Sequence, residues 1–102
     1  MKMTLEHPDN PELKAQVGTD RALGWFCTVR ERGRLRAEYD GMAEGYDGLQ
    51  GLLMTLIAHG WFTRDDLEEA VRLLPHLEPG EMEDPGVARA ADIYERLKEM
   101  AG

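Results

Sequence analysis

Apolar positions alternate with polar ones in the first part of the chain and recur with helical spacing in the second. After Pro11, the residues Leu13, Ala15 and Val17 alternate with polar neighbours. Beyond a "GTD" break, Leu23, Trp25, Cys27 and Val29 fall on one face of a strand, with Phe26 and Thr28 on the other. The glycine in "ERGR" allows a tight reversal. "RLRAEY" then alternates again, with Leu35, Ala37 and Tyr39 on one face and Arg34, Arg36 and Glu38 on the other. Residues 12–40 are therefore expected to form an antiparallel hairpin or meander of two or three strands. Residues 1–11 follow neither period, contain Pro8 and Pro11, and predict an irregular arm.

"YDGMAEGYDG" repeats Tyr-Asp-Gly and reads as a loop from sheet to helix. Leu49, Leu52, Leu53, Leu56 and Ile57 then form one apolar stripe on a helix from Gly48 to His59, which Gly60 is placed to end in a left-handed conformation. Thr63 with Asp66 has the spacing of a capping box, and Phe62 before the cap can staple to Leu67. The stripe of that second helix is Leu67, Ala70, Val71 and Leu74, and Pro75 is expected to end it. Asp84-Pro85 opens a last helix whose apolar face is Val87, Ala90, Ala91, Tyr94, Leu97 and Ala101. Three helices over residues 48–101, packed on one face of the sheet, make an α+β fold in a single domain, residues 1–102.

Charge changes this picture. The net charge of −8 divides into +1 over residues 1–39 and −9 over residues 40–102, so the helical part repels nucleic acid and anionic membranes. No apolar run reaches the length of a membrane span, and "MKMTLEHPDNPEL" lacks the apolar core of a signal peptide, so a cytoplasmic location is expected. The single cysteine, Cys27, agrees with a reducing compartment, and its place in an apolar strand predicts a core thiol of low reactivity. The chain contains no serine, which excludes a Ser-His-Asp triad.

The run "HPDNP" at residues 7–11, followed by "VGTDRALGWFCTV" at residues 17–29, resembles short bacterial proteins with an HPDNP-like start and a VGxDxxLGxFFxxV-type strand. The resemblance covers about the first third of the chain. It implies a turn and strand over residues 17–29 and carries over no activity and no site residue.

Candidate chemistry is sparse. His7, His59 and His76 lack metal-ligand spacing, and Asp40, Glu44 and Asp47 lack the order of an EF-hand, so no metal and no cofactor are expected. The helix pair around "HGWFT" resembles a DNA-reading motif in outline. Its second helix, however, presents Arg64, Asp65, Asp66, Glu68, Glu69 and Arg72, an acidic face that a DNA groove repels. His59, in the last turn of its helix, suits capping. The hairpin carries Arg30, Arg32, Arg34 and Arg36. They read either as a charged edge that discourages sheet-to-sheet association or as a strip that binds an anion or a partner.

These features favour a non-enzymatic module that binds a protein partner or a second copy of itself. Its contact residues are expected among Phe26, Arg30, Arg32, Arg34 and Arg36 of the hairpin and Asp65, Glu68 and Glu69 of the acidic helix. By analogy alone this resembles inhibitors, immunity proteins or anti-CRISPR-like proteins. The alternatives are a small enzyme built on Asp40, Asp47 and His59, and a DNA-contacting regulator using the arginine hairpin. With Leu23, Trp25, Cys27 and Val29 facing the core, Phe26 is expected on the outer face beside Arg34 and Arg36. There it either meets another chain or is covered by the arm through Leu5 and Pro8.

Overall fold

Strand-forming alternation extends further toward the N-terminus than the arm expected there. In the computed structural model, which describes residues 1–20, 24–41 and 48–101, Lys2–Glu6 is a strand, β1. It is followed by β2 (Leu13–Asp20), β3 (Gly24–Glu31) and β4 (Arg34–Asp40). The four form one antiparallel sheet in the order β1-β2-β3-β4. The fold is α+β, with four strands rather than two or three. Of the arm expected over residues 1–11, Met1 and residues 7–11 are irregular, and residues 7–12 form the β1–β2 turn. Helices α1 (Gly48–Ala58), α2 (Arg64–Leu73) and α3 (Pro85–Ala101) follow, with a short 3-10 turn at Pro79–Glu81. The molecule divides into two compact units, Met1–His59 and Gly60–Gly102.

In the first unit the register places side chains in rows, because residues directly opposite on antiparallel strands share a face. Met3, Val17, Cys27 and Tyr39 make one row, and Leu5, Ala15, Val29 and Ala37 the next on the same face. Leu5, Ala15, Val17, Cys27, Val29 and Tyr39 are buried there. Helix α1 packs against β3 and β4. Its buried side chains are Leu52, Leu53 and Leu56, each contributing about 1.5–3 kcal/mol on removal from water. Two glycines let it come close. A Cβ on Gly48 would stand 2.7 Å from Cδ1 of Trp25, and one on Gly51 would overlap the ring of Tyr39.

The reversal between β3 and β4 puts positive φ at both central residues, Arg32 (50°) and Gly33 (80°), the pattern of a type I′ turn that matches strand twist. One feature departs from simple alternation. Val29 pairs with Ala37 but Arg30 pairs with Leu35, so Arg36 is an extra residue, a β-bulge. The bulge carries Leu35 to the face opposite Ala37 and Tyr39, where it is 51% exposed instead of sharing their core face. Leu23 and the loop residues Glu44 and Asp47 lie outside the described residues.

The second unit opens with Gly60 at φ 87°, the left-handed conformation expected of it. Thr63 caps α2. Its side chain accepts from the Asp66 amide at 3.0 Å while Asp66 Oδ2 accepts from the Thr63 amide at 3.2 Å, the reciprocal box that the spacing predicts. Asp84 Oδ1 likewise accepts the amides of Gly86 and Val87 at the start of α3. Both carboxylates sit at helix N-termini, where the dipole favours negative charge. Helix α2 packs on α3, and Gly86 passes Asp66 so closely that a Cβ there would lie 2.5 Å from Oδ2.

Trp61, Phe62, Ala70, Val87, Ala90, Ala91, Ile93 and Leu97 are buried in this unit. Three expectations need correction. Val71 is 42% exposed rather than part of a buried stripe. Ala101 is exposed, while Ile93 is buried in its stead. The end of α2 also differs in mechanism: Leu74, before Pro75, keeps right-handed helical angles (φ −53°, ψ −34°). Proline therefore stops the helix here through its missing N–H rather than by displacing its predecessor.

Candidate interaction site

The arginines of the β3–β4 hairpin do not form a free cationic strip. Arg36 donates to Glu31 Oε1 through Nε at 3.0 Å and through a second nitrogen at 2.6 Å. Arg32 Nε pairs with Glu12 Oε2 at 2.7 Å. Arg30 reaches the Gly33 carbonyl at 3.4 Å. The hydrogen bond and charge of Arg36 hold the Glu31 carboxyl below the usual carboxylate range. Glu31 also accepts from Asn10 Nδ2 at 3.3 Å. Glu12, Glu31, Arg32, Arg34 and Arg36 line one shallow hollow at the turn end of the sheet.

Phe26 does not share that hollow. It stands opposite Gly18 and Asp40, on the face away from Cys27, and is half-buried. Arg34 pairs across from Glu31, on the Cys27 and Val29 side of the sheet. The expected grouping of Phe26 with Arg34 and Arg36 is thus divided between two faces. The covering arm fares no better through Leu5, which stands in the Ala15 and Val29 row, opposite Phe26.

Histidines organise the β1–β2 turn, a role that sequence spacing missed. His7 Nδ1 accepts from the amides of Asp9 and Asn10, both at 3.1 Å. Its Nε2 must then carry the proton, and it donates to the carbonyl of His59 at 2.8 Å. His59 turns its own Nδ1 to the Thr55 carbonyl at 3.0 Å, which is the helix-capping role expected of it. Asn10 Oδ1 accepts from the Glu12 amide at 3.0 Å, and the Leu13 amide donates to the Asn10 carbonyl. The "HPDNP" run is therefore a turn built by its own side chains. Of the proposed Asp40, Asp47 and His59 set, Asp47 lies outside the described residues and His59 is engaged as a cap. Cys27 is fully buried, and burial pushes its thiol up to about 12, far from the reactive range. Among the described residues no group of three or more His, Cys, Asp or Glu is arranged to hold a metal ion. No helix among them is long and apolar enough to cross a membrane.

Two of the four hairpin arginines, Arg32 and Arg36, are thus matched by carboxylates, while Arg30 and Arg34 are exposed without an ion pair among the described residues. Asp65 and Glu68 are exposed on α2 and make no ion pair among the described residues, whereas Glu69 is tied to Arg72. Glu95, half-buried, and Glu99, exposed, stand one turn apart on α3 and likewise make no ion pair among the described residues, while Asp92 pairs with Arg96 at 3.5 Å. Between the helices runs an open groove lined by Val71, Leu74 and Pro75 from α2 and its end, and by Tyr94, Glu95, Lys98 and Glu99 from α3. Lys98 Nζ lies 5.7 Å from the centre of the Tyr94 ring, a cation-π contact. The sequence marks this groove only faintly. Val71, Leu74 and Tyr94 have the spacing of core residues, and only the charges beside Tyr94 distinguish it.

No family model, no curated protein and no solved structure matches this chain.

Proposed function

We propose that this chain is a non-enzymatic protein-binding module whose acidic helical unit, Gly60–Gly102, engages a basic surface of a partner. One observation carries the reading. The guanidiniums of Arg32 and Arg36 are matched within the chain by Glu12 and Glu31, whereas Asp65, Glu68, Glu95 and Glu99 are left without ion pairs among the described residues. The second unit carries eleven acidic and five basic residues, a net charge of −6. Such a surface speeds encounter with a basic partner and repels nucleic acid. Binding of this kind fits an inhibitor or regulator that occupies a basic site on another protein. Glu69, being paired with Arg72, contributes field more than direct contact.

The test compares the wild-type chain with a variant carrying Asp65→Asn, Glu68→Gln, Glu95→Gln and Glu99→Gln, each used to recover and cross-link proteins from the cell of origin. A partner held by the wild type, released by salt and absent with the variant supports the reading. A partner held equally by both and lost only on replacing Arg30 and Arg34 would move the contact to the hairpin and overturn it.

A further inference from the structure

We infer that the groove between α2 and α3 receives a basic amphipathic helix of another protein. This rests on the reading of Gly60–Gly102 as an acidic binding unit and specifies where, and by what, that unit is engaged.

The first argument is the distribution of apolar surface. Ala70, Val87, Ala90, Ala91 and Leu97 are buried, yet Val71, next to Ala70 on α2, is 42% exposed. Leu74 and the ring of Tyr94 are half-buried beside it, and Pro75 closes one end. Single exposed apolar residues are ordinary, but several converging on one concave floor mark a contact surface. The floor runs between two packed helices, and this geometry accepts a third helix through anchors spaced i, i+3 or i+4, and i+7.

Charge then selects the occupant. Glu95 and Glu99 stand on the groove's α3 rim, and Glu68 lies one turn before Val71 on α2. The cation in the lining, Lys98, is exposed and stands 5.7 Å from the centre of the Tyr94 ring, leaving the lining, among the described residues, with two carboxylates to one ammonium. A helix lying in this groove meets the carboxylates of Glu95 and Glu99 along the α3 side of its apolar stripe, so lysines or arginines must flank its anchors there. A second copy is disfavoured, because a two-fold contact would gather Glu95 and Glu99 of both copies into one interface with only the two Lys98 ammoniums to offset them. Docking by strand addition has no template here, since the described residues of this unit contain no strand.

The experiment titrates the full chain, labelled for NMR, with a synthetic helical peptide of about 18 residues. The peptide carries leucines at anchor spacing and lysines and arginines elsewhere. A scrambled peptide of the same composition is the comparison. The ordered peptide is expected to bind about tenfold more tightly than the scrambled one, a difference of about 1.4 kcal/mol. Resonances of Val71, Leu74 and Tyr94 should shift. Val71→Asp and, separately, Tyr94→Ala should reduce its affinity to that of the scrambled peptide, with circular dichroism showing that each variant is folded. Equal binding of the two peptides, unaffected by Val71→Asp, would overturn the groove while leaving the acidic-surface reading intact. Failure of both peptides to bind at low salt would overturn both. Concentration-dependent shifts at Val71 and Tyr94 without peptide would assign the groove to a second copy instead.

Discussion

Replacing Gly51 with alanine sets two physical effects against each other, and the structure decides the sign. Gly51 lies inside α1, where alanine is ordinarily better than glycine by about 0.8–1.0 kcal/mol. Helix propensity alone therefore predicts a more stable protein. The added Cβ, however, would overlap the ring of Tyr39 at Cζ, Cε1 and the hydroxyl. That ring is 7% exposed and stands in a row with Cys27, which is fully buried, so it has little room to move aside. Overpacking costs about 1–3 kcal/mol, and overlap with three atoms of the tyrosine side chain at once places this site in the upper part of that range, about 2–3 kcal/mol. The net effect expected is a loss of about 1–2 kcal/mol, a fall in Tm of roughly 4–16 °C for a chain of this size. Thermal unfolding followed by far-ultraviolet circular dichroism reads it directly. In a Tyr39→Leu background the obstruction is gone, and Gly51→Ala should stabilise by about 1 kcal/mol, giving a coupling of about 2–3 kcal/mol in the cycle. Gly80→Ala serves as control: a Cβ there meets nothing within 4 Å, so its effect should stay within about 0.5 kcal/mol. A Tm raised by Gly51→Ala in both backgrounds would refute the close packing of α1 on β4.

Cys27 titrates at about 12 in the folded chain, while an unfolded thiol ionises near 8.5, so its contribution is full below about pH 8.5 and lost as pH rises toward 12. Stability by urea titration should fall more steeply above pH 9 for the wild type than for Cys27→Ala, and parallel profiles would contradict this. Glu31, held low by Arg36, contributes stability above the unfolded carboxylate range that is lost as pH falls through its folded value. In NMR titrations its midpoint should lie below that of an ordinary glutamate and rise in Arg36→Gln, and an unmoved midpoint would deny the pairing. Thr63→Ala removes one half of the capping box and should cost about 1 kcal/mol, with Thr63→Asn costing much less; equal losses from the two variants in chemical denaturation would rule out a capping role.

What could be read from the sequence was set by local chemistry. The capping box of Thr63 and Asp66, the left-handed Gly60 and the alternation of Ala15, Val17, Cys27 and Val29 each depend on residues a few positions apart. β1 escaped notice because Met3 and Leu5 are only two apolar positions followed at once by Pro8 and Pro11, and pairing with β2 is what makes them a strand. The bulge at Arg36 carries no mark of its own, since Leu35, Ala37 and Tyr39 alternate as faithfully as an unbroken strand would. Pairing of Arg32 with Glu12 and of Arg36 with Glu31 arises from the register of three strands, so counting arginines overstated the free charge of the hairpin. The groove at Val71 and Tyr94 was hidden for a related reason: helical periodicity says which side chains share a face, but not how much of that face its neighbour covers.

The ring of His7 makes residues 7 and 59 neighbours, so the first unit is a chain whose beginning and end are fastened together. Fraying of the last turn of α1 and loosening of the β1–β2 turn are therefore expected to be coupled through this hydrogen bond. When the His59 carbonyl leaves the imidazole, the amides of Asp9 and Asn10 lose an anchored acceptor in the same step. Hydrogen exchange should report them as a single cooperative opening, with the His59 amide sharing their rate, rather than as two independently breathing ends.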